Sequence, residues 1–260
     1  MKTIKILGLT SCLVIAILSV AFGQHKTKAE NDTGKANGKG FAVLELFTSE
    51  GCSSCPPADE VLAKIQRESQ DKPVYLLAYH VDYWDRQGWK DIFSDPDYTN
   101  RQVEYSQWLN RPQIYTPQVV VNGKAEFIGS EERTVRKAIS EQLSKGSAVT
   151  LEMHASHESK NLLVHYQATG APKGSSLLIA IVQKSAQSQV ERGENAGRSL
   201  SHVQIVRKLQ TESLNTKGDG ISKIVLPTDF DHQRFEVLGL VQNNRTGEIV
   251  GAAKADLSKS

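Results

Sequence analysis

Cys52 and Cys55 stand in the run Phe47-Thr48-Ser49-Glu50-Gly51-Cys52-Ser53-Ser54-Cys55-Pro56-Pro57. Two intervening residues put both sulfurs within reach of each other or of a shared metal ion. The pair follows an apolar run, Ala42-Val43-Leu44-Glu45-Leu46-Phe47, and precedes a helical pattern. At such a strand-to-helix junction, free backbone N–H groups and the positive end of the helix dipole favour a thiolate on the first sulfur. Cys52 is therefore the expected nucleophile of thiol–disulfide exchange, and Cys55 the thiol that resolves the mixed disulfide. Two other uses stay open, an inert staple across the turn and a metal site. A bridge that closes so short a loop removes little chain entropy, which weighs against the staple.

The third cysteine, Cys12, lies in a different kind of segment. Lys2 and Lys5 precede an uncharged, mostly apolar stretch from Ile6 to Phe22, and Ala21-Phe22-Gly23 fits the small-x-small cleavage rule. Residues 1–23 are read as a signal peptide, with an uncleaved membrane anchor as the alternative. Leu9-Thr10-Ser11-Cys12 has the look of a lipoprotein box, but the apolar run continues well beyond Cys12. The expected location is the periplasm or the extracellular space, where a cysteine pair spends part of its life oxidised. The formal charge of the chain is +2, and removing residues 1–23 takes two lysines and no acids. The balance left gives no basic field for nucleic acid or anionic membrane.

Residues 24–40 are rich in Lys, Asn, Gly and Thr without apolar periodicity and are read as a flexible linker. From residue 41 a denser pattern begins. Strands are expected at Ala42–Phe47 and Val74–His80, and helices at Pro57–Ser69 and Asp97–Leu109, the second capped by Ser94 or Asp95. Gln118–Val121 and Ala125–Ile128 form a hairpin across Asn122-Gly123, and a last helix, Glu132–Ser144, follows Ser130 as its cap. The order β-α-β-α-β-β-α, with the cysteines at the first helix and Thr116-Pro117 directly before the third strand, is that of a thioredoxin core. Residues 41–146 are accordingly expected to form an α/β thioredoxin-like domain. By analogy with that fold, Pro117 is cis, faces the cysteines and turns a backbone edge toward an extended substrate.

Residues 147–256 read differently. Val149–His154, Asn161–Ala168, Ser176–Gln183, Ser201–Leu209, Ile221–Pro227, Arg234–Asn243 and Glu248–Ala253 are strand-like and punctuated by Gly and Asn. This spacing predicts an all-β, sandwich-like C-terminal domain.

Several residues outside the cysteine motif are candidates for the site. The segment after the second strand offers Trp84 and Trp89 as an apolar platform and Asp82 or His80 as a proton acceptor, because ligands gather at strand ends in α/β sheets. For His80 and Asp85 a packed, hydrogen-bonded loop is the favoured alternative. Thr116, Trp84 and Asp82 are the expected substrate contacts. Glu45, an acid in an apolar run, is a candidate proton acceptor for the resolving thiol or a residue on an exposed strand edge. Arg192-Gly193-Glu194-Asn195 through His202 is read as a long charged loop, either solvated or folded back over the cysteine face. His154, His157 and His165 lack metal-ligand spacing.

The run Glu45 to Asp59 resembles the signature of the domain-of-unknown-function 1223 family, exported thioredoxin-like proteins. His80-Val81-Asp82-Tyr83-Trp84-Asp85, Gly88-Trp89-Lys90-Asp91, Tyr115-Thr116-Pro117-Gln118, Gly123 to Ser130 and Arg192 to His202 are similar to its further blocks, in order. The resemblance covers roughly residues 41–256 and supplies no reaction; through the thioredoxins it implies thiol–disulfide chemistry by analogy alone. Thioredoxins usually carry Gly-Pro between the cysteines and Trp before them, where this chain has Ser53-Ser54 and Gly51, so the redox potential is left open. The expectation is an exported thiol–disulfide oxidoreductase with no organic cofactor or metal, whose partner is another thiol or disulfide protein. The alternatives are a copper-handling protein that uses His80 or His202 as a third ligand, and a non-catalytic adaptor with a structural disulfide.

Overall fold

The computed structural model describes residues 38–257. The expected signal peptide, and residues 24–37 of the expected linker, lie outside them. Gly38 is paired with Ser147 across an isolated bridge, and a Cβ on Gly40 would lie 2.1 Å from the Lys145 carbonyl oxygen. The last residues of the expected linker are thus pinned against the end of a helix.

The first half contains β1 (Ala42–Thr48), α1 (Pro56–Glu68), β2 (Val74–His80), a 3-10 helix (Asp82–Gln87), α2 (Pro96–Trp108), β3 (Gln118–Val121), β4 (Ala125–Ile128) and α3 (Glu132–Leu143). Every residue of β1 is buried, as its mostly apolar run, interrupted by Glu45, suits a central strand. β1 pairs parallel with β2 and antiparallel with β3, which pairs antiparallel with β4. Asn122 and Gly123, at φ 48° and 65°, make the hairpin turn, and the Asn122 side chain accepts from Val43 N–H at 2.6 Å. Asp95 caps α2 by accepting from Asp97 N–H at 2.9 Å. The expected cap of α3 differs: Glu131 holds the N-cap position and makes no side-chain cap bond.

The second half is all strand: β5 (Thr150–Glu158), β6 (Asn161–Thr169), β7 (Ser175–Gln189), β8 (Ser199–Ser213), β9 (Asp219–Val225), β10 (Phe235–Asn243), β11 (Ile249–Lys254) and β12 (Asp256–Leu257). These strands do not close into a sandwich of their own. One sheet of eight strands runs in the order β11-β10-β7-β8-β2-β1-β3-β4, straight across the expected boundary at residues 146 and 147. The other sheet is β12-β5-β6-β9. The join is one parallel pair, Ala78 with Ile205. Without β8, β2 would present a bare edge, and a buried apolar strand left unpaired is an aggregation hazard.

Three packed layers result. Leu44, Leu46 and Leu76 face Val61, Leu62 and Ile65 of α1 and Val135 and Ile139 of α3. On the opposite face Phe47, Tyr79 and Val120 meet Tyr98 and Tyr105 of α2, and this layer continues through Leu178, Ala180 and Leu240. Alternate residues of β7, Leu177, Ile179 and Ile181, point the other way and pack on Leu151, Leu162, Val164 and Ile224 of the four-stranded sheet. A sandwich-like pairing of layers therefore exists, but one of its layers is shared with the first half.

Candidate functional site

β1 ends at Thr48, the chain turns through Ser49–Gly51, and α1 begins at Pro56 with Cys55 as its N-cap. Prolines in the first turn leave no helical hydrogen bond unmade. Cys52 N–H donates to the Ser49 carbonyl and Cys55 N–H to the Cys52 carbonyl, both at 3.2 Å. The two cysteines form a disulfide with Cα atoms 5.4 Å apart. The Ser54 hydroxyl lies 3.4 Å from Cys52 Sγ and donates to the Thr116 carbonyl at 3.5 Å.

Thr116–Pro117 is a cis peptide. Trp84 Nε1 donates to Thr116 Oγ1 at 2.7 Å, and a Cβ added to Gly51 would stand 3.2 Å from Trp84 Cβ. Of the six expected site residues, Cys52, Cys55, Trp84, Thr116 and Pro117 are thus gathered around one turn. Asp82 is turned away toward α2, where its Oδ1 accepts from Thr99 Oγ1 at 2.5 Å and its N–H donates to the same hydroxyl at 3.2 Å.

Glu45 is fully buried, not on an exposed strand edge, and it is held in an ion pair. Arg101 Nε donates to it at 2.5 Å, and the Tyr105 hydroxyl donates to its other oxygen. Asp85 accepts from Asp91 N–H at 3.2 Å and from the Ser94 hydroxyl at 2.7 Å, so it ties a loop together.

Both cysteines are fully covered, at 0% exposure. Part of the cover comes from the segment between β7 and β8. Asn195 Nδ2 donates to the carbonyls of Glu50 and Cys52, at 2.8 and 2.9 Å, and Arg198 donates from its guanidinium to the Asn195 side-chain oxygen Oδ1 at 2.8 Å. Ser53 N–H donates to Glu194 at 3.1 Å, and the Ser53 hydroxyl and N–H together hold the Glu194 carboxyl below its ordinary range. The charged segment does fold back over the cysteine turn.

Adjoining this turn is a buried cluster that joins residues distant in sequence. Glu50 precedes Cys52 by two residues, and Asp59 follows Cys55 by one helical turn on the same face. Between them sits His202 of β8, with Nε2 3.4 Å from Glu50 and Nδ1 3.6 Å from Asp59, ion-pair distances rather than hydrogen bonds. Trp89 Nε1 donates to the second oxygen of Glu50 at 2.7 Å, and Thr48 Oγ1 to that of Asp59 at 3.2 Å. His80 stands edge-on to His202, ring centres 4.9 Å apart, with Nδ1 2.6 Å from Asp91. Glu50 N–H also donates to Asp91 at 2.8 Å.

Burial opposes a charge on His202, but Asp59 and Glu50 outweigh it and push the imidazole up to about 10. Burial likewise works to raise Asp91, yet His80 and the N–H groups of Glu50 and Phe93 hold it below the usual carboxylate range. The His202 shift has a sign that can be checked. Its unfolded value is about 6.5, so its pairing contributes fully below that pH and is lost as pH rises through about 10. The oxidised protein is expected to lose roughly 1–3 kcal/mol of unfolding free energy between about pH 7 and 9, a slope that His202→Gln abolishes. Urea unfolding at the two pH values measures it.

No group of three or more His, Cys, Asp or Glu side chains suited to a metal ion occurs among the described residues. His80 and His202, the proposed third ligands of a copper site, both direct ring nitrogens at carboxylates.

Fold and site together define a mixed α/β protein with a covered Cys-x-x-Cys disulfide where a central strand gives way to a helix, beside a cluster of histidines and carboxylates. The family model described as Protein of unknown function (DUF1223) matches residues 43–242, and the chain belongs to that family. It is similar to the crystal structure of protein AGR_C_4864 from Agrobacterium tumefaciens, with TM-score 0.65 and 27% identity, over 84% of this chain and 95% of that one. It is also similar to HBP35 of Porphyromonas gingivalis, with TM-score 0.58 and 17% identity, over 86% of this chain and 77% of that one, a likeness of fold alone. No curated protein matches the chain.

Proposed function

We propose that this is an exported thiol–disulfide oxidoreductase built on a thioredoxin-like core, in which Cys52 exchanges with a partner protein and Cys55 resolves. The observation that carries the reading is the Cys52–Cys55 disulfide at the start of α1, facing the cis Thr116–Pro117 segment across Ser54 and Trp84. The strand order β2-β1-β3-β4, with helices on both faces, supports the thioredoxin-like assignment. The positively charged, then apolar N-terminal segment supports export, to a compartment where the pair meets other thiol proteins.

The chemistry balances without a cofactor. A partner thiolate attacks Cys52 Sγ, the bond to Cys55 breaks, and Cys55 leaves as a thiolate that takes up a proton. A second partner thiol gives up its proton, attacks the partner sulfur of the mixed disulfide and releases Cys52. Two electrons pass from the partner dithiol to the pair; the reverse sequence reduces a partner disulfide.

Complete burial of both cysteines favours a second reading, a structural disulfide. The two are separated by an insulin-reduction and scrambled-substrate refolding assay on the mature protein. Turnover that Cys52→Ser lowers at least a hundredfold is the expected result. Turnover absent from the wild type, or unaffected by the substitution, leaves the structural disulfide as the role of the pair.

A further inference from the structure

We propose that His202 is a positioning residue for the cysteine pair: its cationic imidazole offsets Glu50 and Asp59 and thereby sets how readily Cys52 ionises once the disulfide is reduced. The proposal rests on the reading of Cys52–Cys55 as a redox pair.

The geometry points to the charged form of His202 without reference to any titration. A neutral imidazole has one N–H and one lone pair. Each His202 nitrogen faces a carboxylate oxygen, at 3.4 and 3.6 Å, so a neutral ring would aim its lone pair at one of two acids. The doubly protonated ring presents an N–H to the acid on each side. The remaining neighbours fit a cation. His80 meets the ring edge-on, with its own Nδ1 engaged by Asp91, and Phe93 packs edge-on with ring centres 5.9 Å apart. Arg207 lies over Phe93 and is directed to Gln183 and Asp229.

The cluster is also where it can act on sulfur. Glu50 and Asp59 flank the pair in sequence, and Thr48 ties Asp59 to the end of β1, so the whole −/+/− arrangement is fixed relative to the turn. With His202 neutral, the two buried carboxylates that flank the pair in sequence oppose a developing thiolate without His202 to offset them. At an effective dielectric constant near 20, a unit charge within about 10 Å of a thiol shifts its midpoint by about 1 pH unit or more.

The test uses the mature protein reduced with dithiothreitol, and reads Cys52 alkylation by iodoacetamide as a function of pH. His202→Gln is expected to raise the alkylation midpoint by about 1–2 pH units, and Glu50→Gln to lower it by a similar amount. The double variant, which restores the net charge of the cluster, is expected to return toward the wild type. A merely structural role moves both single variants the same way. If His202→Gln fails to fold, Glu50→Gln and the double variant carry the same test. Midpoints that shift in one direction, or by less than about 0.3 pH unit, overturn the role of His202 while the redox reading stands. A wild-type disulfide that resists dithiothreitol in the folded protein overturns both.

Discussion

Arg101→Met is expected to lower the unfolding free energy by roughly 3–5 kcal/mol, the largest single-site loss we foresee. Arg101 is 4% exposed and its partner Glu45 is fully buried. The guanidinium holds Glu45 through Nε, reaches Gln242 at 3.2 Å and the Tyr105 hydroxyl at 2.9 Å, and lies 4.9 Å from the Tyr105 ring centre. Removing it leaves an acid in the middle of β1 with no cation within an apolar layer. That acid must protonate or admit water, and either is costly. Replacing both partners, Glu45→Leu with Arg101→Met, is expected to recover most of the loss, because a buried ion pair gives little net stability over well-packed apolar groups. Urea unfolding of the two variants decides it; a single variant within about 1 kcal/mol of the wild type shows that Glu45 does not depend on Arg101 for its burial.

The second large effect concerns access. On the proposed redox reading, the cover over both sulfurs must open, and lifting the segment that carries Glu194 and Asn195 is a local opening of the kind folded proteins undergo below their global unfolding. Asn195 closes that segment with two hydrogen bonds to the turn. Asn195→Ala removes both donors and leaves two carbonyls seeking partners, which favours the open form by about 1–3 kcal/mol. The disulfide is then expected to react with dithiothreitol roughly 5- to 100-fold faster, at about tenfold per 1.4 kcal/mol. Stopped-flow or quench measurements of free thiol give the rate. An unchanged rate means that reductant enters by a path that this segment does not control.

Much of the first half was legible because its signals are local. The mostly apolar run of β1, Asp95 ahead of Pro96, and the Asn122-Gly123 turn each act within a few residues of themselves. The gathering of Trp84, Thr116 and Pro117 about the cysteines follows from the same element order. The joining of the halves was not legible, since nothing around Ile205 marks it as a partner for Ala78, and β7 and β8 outrun their apolar segments. Lys184–Gln189 alternate between exposed and covered positions and hold their course by pairing with β8, not by hydrophobicity. The surroundings of Glu45 were hidden for a related reason: an acid within an apolar strand leaves burial or an edge equally open, and its counterion Arg101 lies on another element.

The buried cluster was hidden by distance along the chain. Glu50 and Asp59 were in plain view beside the cysteines, yet neither type nor spacing says that a histidine from the far half will stand between them. A carboxylate on each flank of a cysteine pair is the signal that could have prompted a search for a cation, and two histidines, His80 and His202, were available to it.

The single sheet has a practical corollary for anyone who would borrow the cysteine-bearing half as a portable reagent. Cut at residue 146, the excised piece keeps its sulfurs and proline but forfeits the His202 imidazole, the Asn195 amide latch and the strand that shields its flank, all encoded from residue 195 onward. Grafting or circular permutation that respects β8 keeps the electrical and mechanical setting of the sulfurs intact, whereas trimming to the smallest familiar-looking unit discards it.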